Sequence, residues 1–213
     1  MRSRQLVHNW VHVKLVFVSL ENTYDLAFYS RPTLEVARDL LGATLCRRLG
    51  DGTILQAPIV EVEAYTEDDP ACHASKGMTP RCAVMFADAG HAYVYFIYGM
   101  YFCLNVVTEP HGTPGAVLIR AIGAVNTNGP GKLCREWDIT AKHNGVNLMD
   151  SNSPLWIAQG KPVADADIAI TQRIGITSAW ERPWRFHIKG HTSVSGPKNF
   201  KGGPPKPKKR VRR

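Results

Sequence analysis

Hydrophobic positions along the chain fall mostly into short runs and alternations of period two, and one early stretch carries a helical period. In Pro32–Gly42 the apolar residues Leu34, Ala37, Leu40 and Leu41 fall on one stripe. Thr33 as N-cap and Gly42 at the far end complete the expected helix. Ala43–Arg48 and Thr53–Tyr65 predict strands joined by the turn Gly50-Asp51-Gly52. Glu67–Gly77 is polar and predicts a loop, and His91–Val107 predicts an aromatic hairpin broken at Gly99. Gly115–Ile122 predicts a buried strand carrying Arg120 near its end, and Gly129-Pro130-Gly131 opens a helix from Lys132 onward. Val163–Gly175 predicts a strand and turn, and Trp184–Lys189 a further strand. Strands dominate without regular βαβ alternation, so the expected class is α+β. We expect a single domain over residues 26–195: a curved, mostly antiparallel sheet with a protruding aromatic hairpin and several helices. Residues 1–25 are expected to form an N-terminal extension, and 196–213 a basic disordered tail whose Gly/Pro/Lys composition cannot bury apolar surface.

Charge sharpens that division. The formal net charge is +8, but eight basic residues and no acidic ones fall in 198–213, leaving 18 of each sign in 1–197. The excess therefore belongs to the tail, and a nucleic-acid reading has to rest on local chemistry in a neutral body. The five cysteines (Cys46, Cys72, Cys82, Cys103, Cys134) form no C-x-x-C pair, which favours reduced, buried thiols in an intracellular protein over a disulfide framework or a zinc ribbon. Polar residues interrupt the N-terminal apolar stretch, and Leu15–Val18 is too short for a signal peptide or a membrane span.

Two segments carry candidate chemistry. If Val60–Tyr65 is a strand, Glu61, Glu63 and Tyr65 share one face, because side chains two apart point the same way. A lone Glu on a strand is usually a solvated residue, whereas two neighbouring carboxylates raise the prospect of proton transfer. Spacing does not say which of the two would act. In the run Tyr93–Phe102, Tyr93, Phe96 and Phe102 are expected in the core, while Gly99 places Tyr98 at an exposed turn. A carboxylate near aromatic faces, with an exposed aromatic wedge, suits the handling of a flat extruded ring such as a nucleobase. Gly129-Pro130-Gly131-Lys132-Leu133 is not a phosphate loop of the Walker type. Its helix start with Gly131 and Lys132 could hold a backbone phosphate or be a plain helix cap.

Taken together, Val60–Tyr65, Met85-Phe86, Tyr93–Asn105, Val117–Ala121, Gly129–Leu133 and Arg185-Phe186 resemble the alkyladenine, or 3-methyladenine, DNA glycosylase family, over roughly Leu26 to Lys189. The resemblance implies that Glu63, two before the motif tyrosine, is the general base on the hydrolytic water. It implies that Tyr65 and His73 on one side and Tyr95 on the other hold the flipped base. Tyr98 would wedge into the minor groove, Asn105 would crowd the 2-amino group of guanine, and Arg120 would lie near the attacking water and the lesion phosphate. Arg135-Glu136-Trp137-Asp138 departs from the small and aliphatic residues usual after the Gly-Pro-Gly-Lys-Leu motif. The implied activity is a monofunctional glycosylase acting on damaged purines in double-stranded DNA and leaving an abasic site. No metal, organic cofactor or membrane is implied, and a monomer is expected. A non-catalytic nucleic-acid-binding domain of the same fold is the alternative. A zinc-dependent base deaminase lacks its required P-C-x-x-C.

Overall fold

The computed structural model describes residues 20–196. Two short helices, α1 (Leu26–Tyr29) and α2 (Thr33–Asp39), precede strands β1 (Thr44–Arg48), β2 (Ile54–Tyr65), β3 (Ala92–Ile97), β4 (Tyr101–Thr108) and β5 (Gly115–Ile122). Helix α3 (Pro130–Glu136) and strands β6 (Leu155–Ala158), β7 (Ile168–Thr171) and β8 (Arg185–Ile188) follow. The strands join one curled sheet in the order β3-β4-β5-β2-β1-β6, with β8 added beside β2 and β7 beside β8. Every pairing is antiparallel, and the class is α+β. The basic tail and most of the N-terminal extension lie outside the described residues.

β2 organises the site because the sheet forks along it. Its first half pairs with β1, while Glu61–Glu63 pair with His187–Arg185 of β8. Its other edge pairs with β5, with register shifts on both sides of Glu61. Such bulges bend a strand and re-aim its side chains. Flanked by strands on both edges, Glu61 and Glu63 are fully buried, which is the opposite of a solvated strand face. β5 is buried along its whole length, as its near-continuous apolar run Gly115–Ile122 suggests.

The main core packs Val36, Ala37, Leu40 and Leu41 around α2 against the sheet residues Ile59, Val62, Val117 and Ile119. A smaller cluster of Cys72, Cys82, Met85, Tyr93, Val107 and Ala116 gathers against Tyr65 and Tyr95. It supports two of the aromatic rings expected at the site.

Several local expectations are corrected. The N-cap of α2 is Pro32, not Thr33, and no side chain of α2 caps it. Glu109 instead accepts the Thr33 backbone N–H at 2.6 Å and its hydroxyl at 2.7 Å, filling the acceptor role from a distant turn. Helix α3 begins at Pro130, two residues early, since proline at the first turn forfeits no intrahelical bond. Phe96 is not core: it is 49% exposed, touching Phe102 at 4.9 Å between ring centroids where the hairpin projects. β6 and α1 were not foreseen, both being four residues long and without a period to read. No helix among the described residues is long and apolar enough to cross a membrane.

Candidate active site

A cleft of about 390 Å³ opens between the β3–β4 hairpin, the end of β2, β5, the start of α3 and the turn after β7. Tyr65, His73, Tyr95, Tyr98, Asn105, Arg120 and Gly131 all line it, so residues expected from five separate stretches of sequence converge. That volume falls within the ordinary range of small-molecule sites, and its walls are mostly apolar and aromatic.

Glu63 lies directly behind this wall. One carboxylate oxygen accepts the Ile174 backbone N–H at 2.7 Å and lies 3.1 Å from Arg120 Nη1. The other accepts the Tyr65 hydroxyl at 2.8 Å. All three partners line the cleft, although the carboxylate itself is fully shielded. Burial, with the neighbouring Glu63 carboxylate, holds the Tyr65 phenol well above its usual range, so it stays a donor to Glu63.

Glu61 has a different environment. Four donors converge on it: Arg120 Nε at 3.0 Å, Arg185 Nε at 2.7 Å, and the Ser195 backbone N–H and hydroxyl at 2.5 and 2.9 Å. Both carboxylates and both guanidinium groups are buried, so the cluster is balanced in charge.

The aromatic residues meet less openly than a slot for a base would require. His73 Nδ1 lies 2.8 Å from the Tyr93 hydroxyl, and its ring touches Tyr95 edge-on with centroids 4.5 Å apart. That is the spacing of an aromatic pair in direct contact. Desolvation, assisted by Arg81, pushes the His73 pKa below the usual histidine value, favouring a neutral ring. Tyr65 is braced from behind: the Arg173 guanidinium lies 4.6 Å from its ring centroid and pairs with the buried Asp69.

Tyr98 stands at the hairpin tip with 75% of its surface exposed. Both Tyr98 (φ 55°) and Gly99 (φ 69°) adopt the left-handed region, as a tight primed turn demands. Asn105 is buried on β4, its amide donating to the Tyr93 carbonyl at 3.0 Å. Gly131 approaches Tyr101 so closely that a Cβ there would stand 2.9 Å from the ring. Lys132 is exposed beyond the cleft lining, and its ammonium donates to Asn128 at 3.0 Å.

Sequence reasoning missed Ile174, Arg173 and Ser195. Their contacts reach back to β2 and its flanking loop across more than a hundred residues, so no local spacing could signal them. The five cysteines are free and buried. Among the described residues, no three His, Cys, Asp or Glu side chains are grouped to hold a metal ion.

The family model described as methylpurine-DNA glycosylase matches residues 27–127 and 123–192. A protein of Methanocella arvoryzae named "Putative 3-methyladenine DNA glycosylase" is 49% identical over 190 residues, covering 79% of this chain and 93% of its own. Proteins of the same name from Herpetosiphon aurantiacus and Carboxydothermus hydrogenoformans are 43% and 44% identical, again over 79% of this chain and over 86% and 96% of theirs. With the family model spanning most of the described domain and these relatives aligned over nearly their full lengths, the chain belongs to the methylpurine-DNA glycosylase family and is a hydrolase of N-glycosyl bonds in DNA.

Proposed function

We propose that this enzyme binds duplex DNA containing an alkylated or deaminated purine, turns that nucleotide into the cleft, and hydrolyses its glycosidic bond to leave an abasic site. The observation that carries the reading is the placement of Glu63 immediately behind an aromatic cleft, bonded to three groups that line it. In the reaction, water oxygen forms a bond to C1′ while the C1′–N bond breaks, its electron pair leaving with the base. Glu63 takes the proton that water loses, and Arg120 lies near the attacking water and the lesion phosphate. Tyr65 and Tyr95 offer stacking faces, and His73 must turn away from Tyr95 to admit a base between them. Stacking returns roughly 1–3 kcal/mol per base, which offsets part of the cost of extrusion. Tyr98 fills the vacated space from the minor-groove side, and Asn105 crowds a 2-amino substituent. Gly131 and Lys132 meet the backbone at the rim. The protein acts as a monomer inside the cell.

The test is Glu63→Gln, which preserves shape but removes proton acceptance. Single-turnover excision from a lesion duplex should fall by about 10²–10⁴, the usual worth of a positioned base, with lesion binding retained. Retained excision in Glu63→Gln would overturn the assignment of Glu63 as the base.

A further inference from the structure

Arg120 reaches Glu63 with one end of its guanidinium; what grips the other end is a separate structure. Its Nε donates to Glu61 at 3.0 Å and to the Ser195 hydroxyl at 3.3 Å, and its Nη2 donates to that hydroxyl at 3.1 Å. Ser195 uses every polar group it has in this cluster. Its N–H and hydroxyl donate to Glu61, the hydroxyl oxygen accepts from Arg120, and its carbonyl accepts from Arg185 Nη2 at 3.2 Å. Glu61 and Ser195 are buried and neither lines the cleft, so neither touches a bound nucleotide.

We propose that Glu61 and Ser195 are positioning residues that clamp one edge of the Arg120 guanidinium, so that the opposite edge is presented to Glu63 and the cleft. A guanidinium is a planar fork, and fixing two of its nitrogens fixes the direction of the third. Glu61 is suited to this because three of its four donors, from Arg120, Arg185 and Ser195, converge on its Oε1 behind the cleft lining. Ser195 closes the clamp from the far end of the domain, and Arg185 holds Glu61 against β8. The inference rests on the reading of Glu63 and Arg120 as the chemical pair.

Glu61→Gln strips countercharge from two buried guanidinium groups, which confounds folding with chemistry, so the decisive variant is Ser195→Ala. It removes the hydroxyl that bridges Arg120 and Glu61 and leaves the backbone bond. Single-turnover excision should slow by about tenfold, the fold-change of one charge-assisted hydrogen bond, with lesion binding retained; loss of the buried bonds should also lower the melting temperature, so rates are compared well below it. In an Arg120→Lys background, which lacks the forked edge, Ser195→Ala should cost nothing further. A wild-type rate in Ser195→Ala, or an undiminished penalty in the Arg120→Lys background, would overturn the clamp. Glu63→Gln measured alongside separates the failures. If it is inactive while Ser195→Ala is normal, only the clamp is wrong; if it is active, the reading of the chemical pair has failed first.

Discussion

Glu61 and Glu63 lie two residues apart on one strand and both vanish from solvent, yet their surroundings divide the work. The sequence made the pair visible through its spacing but not the division, since Ile174, Arg185 and Ser195 supply the distinguishing bonds from 111, 124 and 134 residues away. Asn105 shows the same limit: its position on an apolar strand is legible, its inward aim is not. Asn105→Ala should open space in the cleft and raise release of unmodified guanine, measured as free base from undamaged duplex. Unchanged guanine release would remove that role. His143 carries a different prediction. Its Nδ1 accepts the Thr140 backbone N–H at 3.0 Å, an arrangement open only to the neutral ring. Burial, with Arg47 nearby, sets its pKa below the ordinary value of 6.5. Between the folded value and 6.5 the unfolded chain binds more protons, so stability should rise with pH across that interval and level off above it. His73 and His187 shift the same way and add to the slope. Melting temperatures measured across that interval check this, and His143→Gln should flatten the curve.

At the scale of elements, strands were the readable part. β5 matches its expected limits residue for residue, because a continuous apolar run bounded by turn residues has one sensible reading. The hairpin was legible through its aromatic run and Gly99, but Phe96 was misplaced because period two cannot say how far a hairpin projects beyond its sheet. The tip stores strain: a tyrosine held in the left-handed region costs on the order of 1 kcal/mol that glycine would not incur. Tyr98→Gly should therefore hold or raise the melting temperature while excision falls, and Tyr98→Ala should leave the melting temperature nearly unchanged. A large loss of stability in Tyr98→Ala would show instead that the ring supports the fold.

The molecule as a whole concentrates its excess charge in 198–213, outside the described residues. We expect that segment to add sequence-independent attraction to DNA. Each phosphate neutralised contributes about −0.9 to the slope of log K against log salt, so removing three contacts should flatten the slope by roughly 2.7. Deleting 198–213 should weaken binding to damaged and undamaged duplex alike and leave saturating single-turnover excision intact; identical salt slopes would exclude DNA contact by the tail. The Ser195 clamp has one more consequence, which concerns time. A ribosome releases β2 well over a hundred residues before it releases Ser195, so a nascent chain can pair β2 with β1 and β5 while Glu61 still lacks three of its four donors. Completion of the cluster is thus a late, long-range closure, of the kind that folds slowly. The chemical centre can mature only after nearly all of the domain has been synthesised, so a chain interrupted before β8 would carry Glu63 without the framework that aims Arg120 at it.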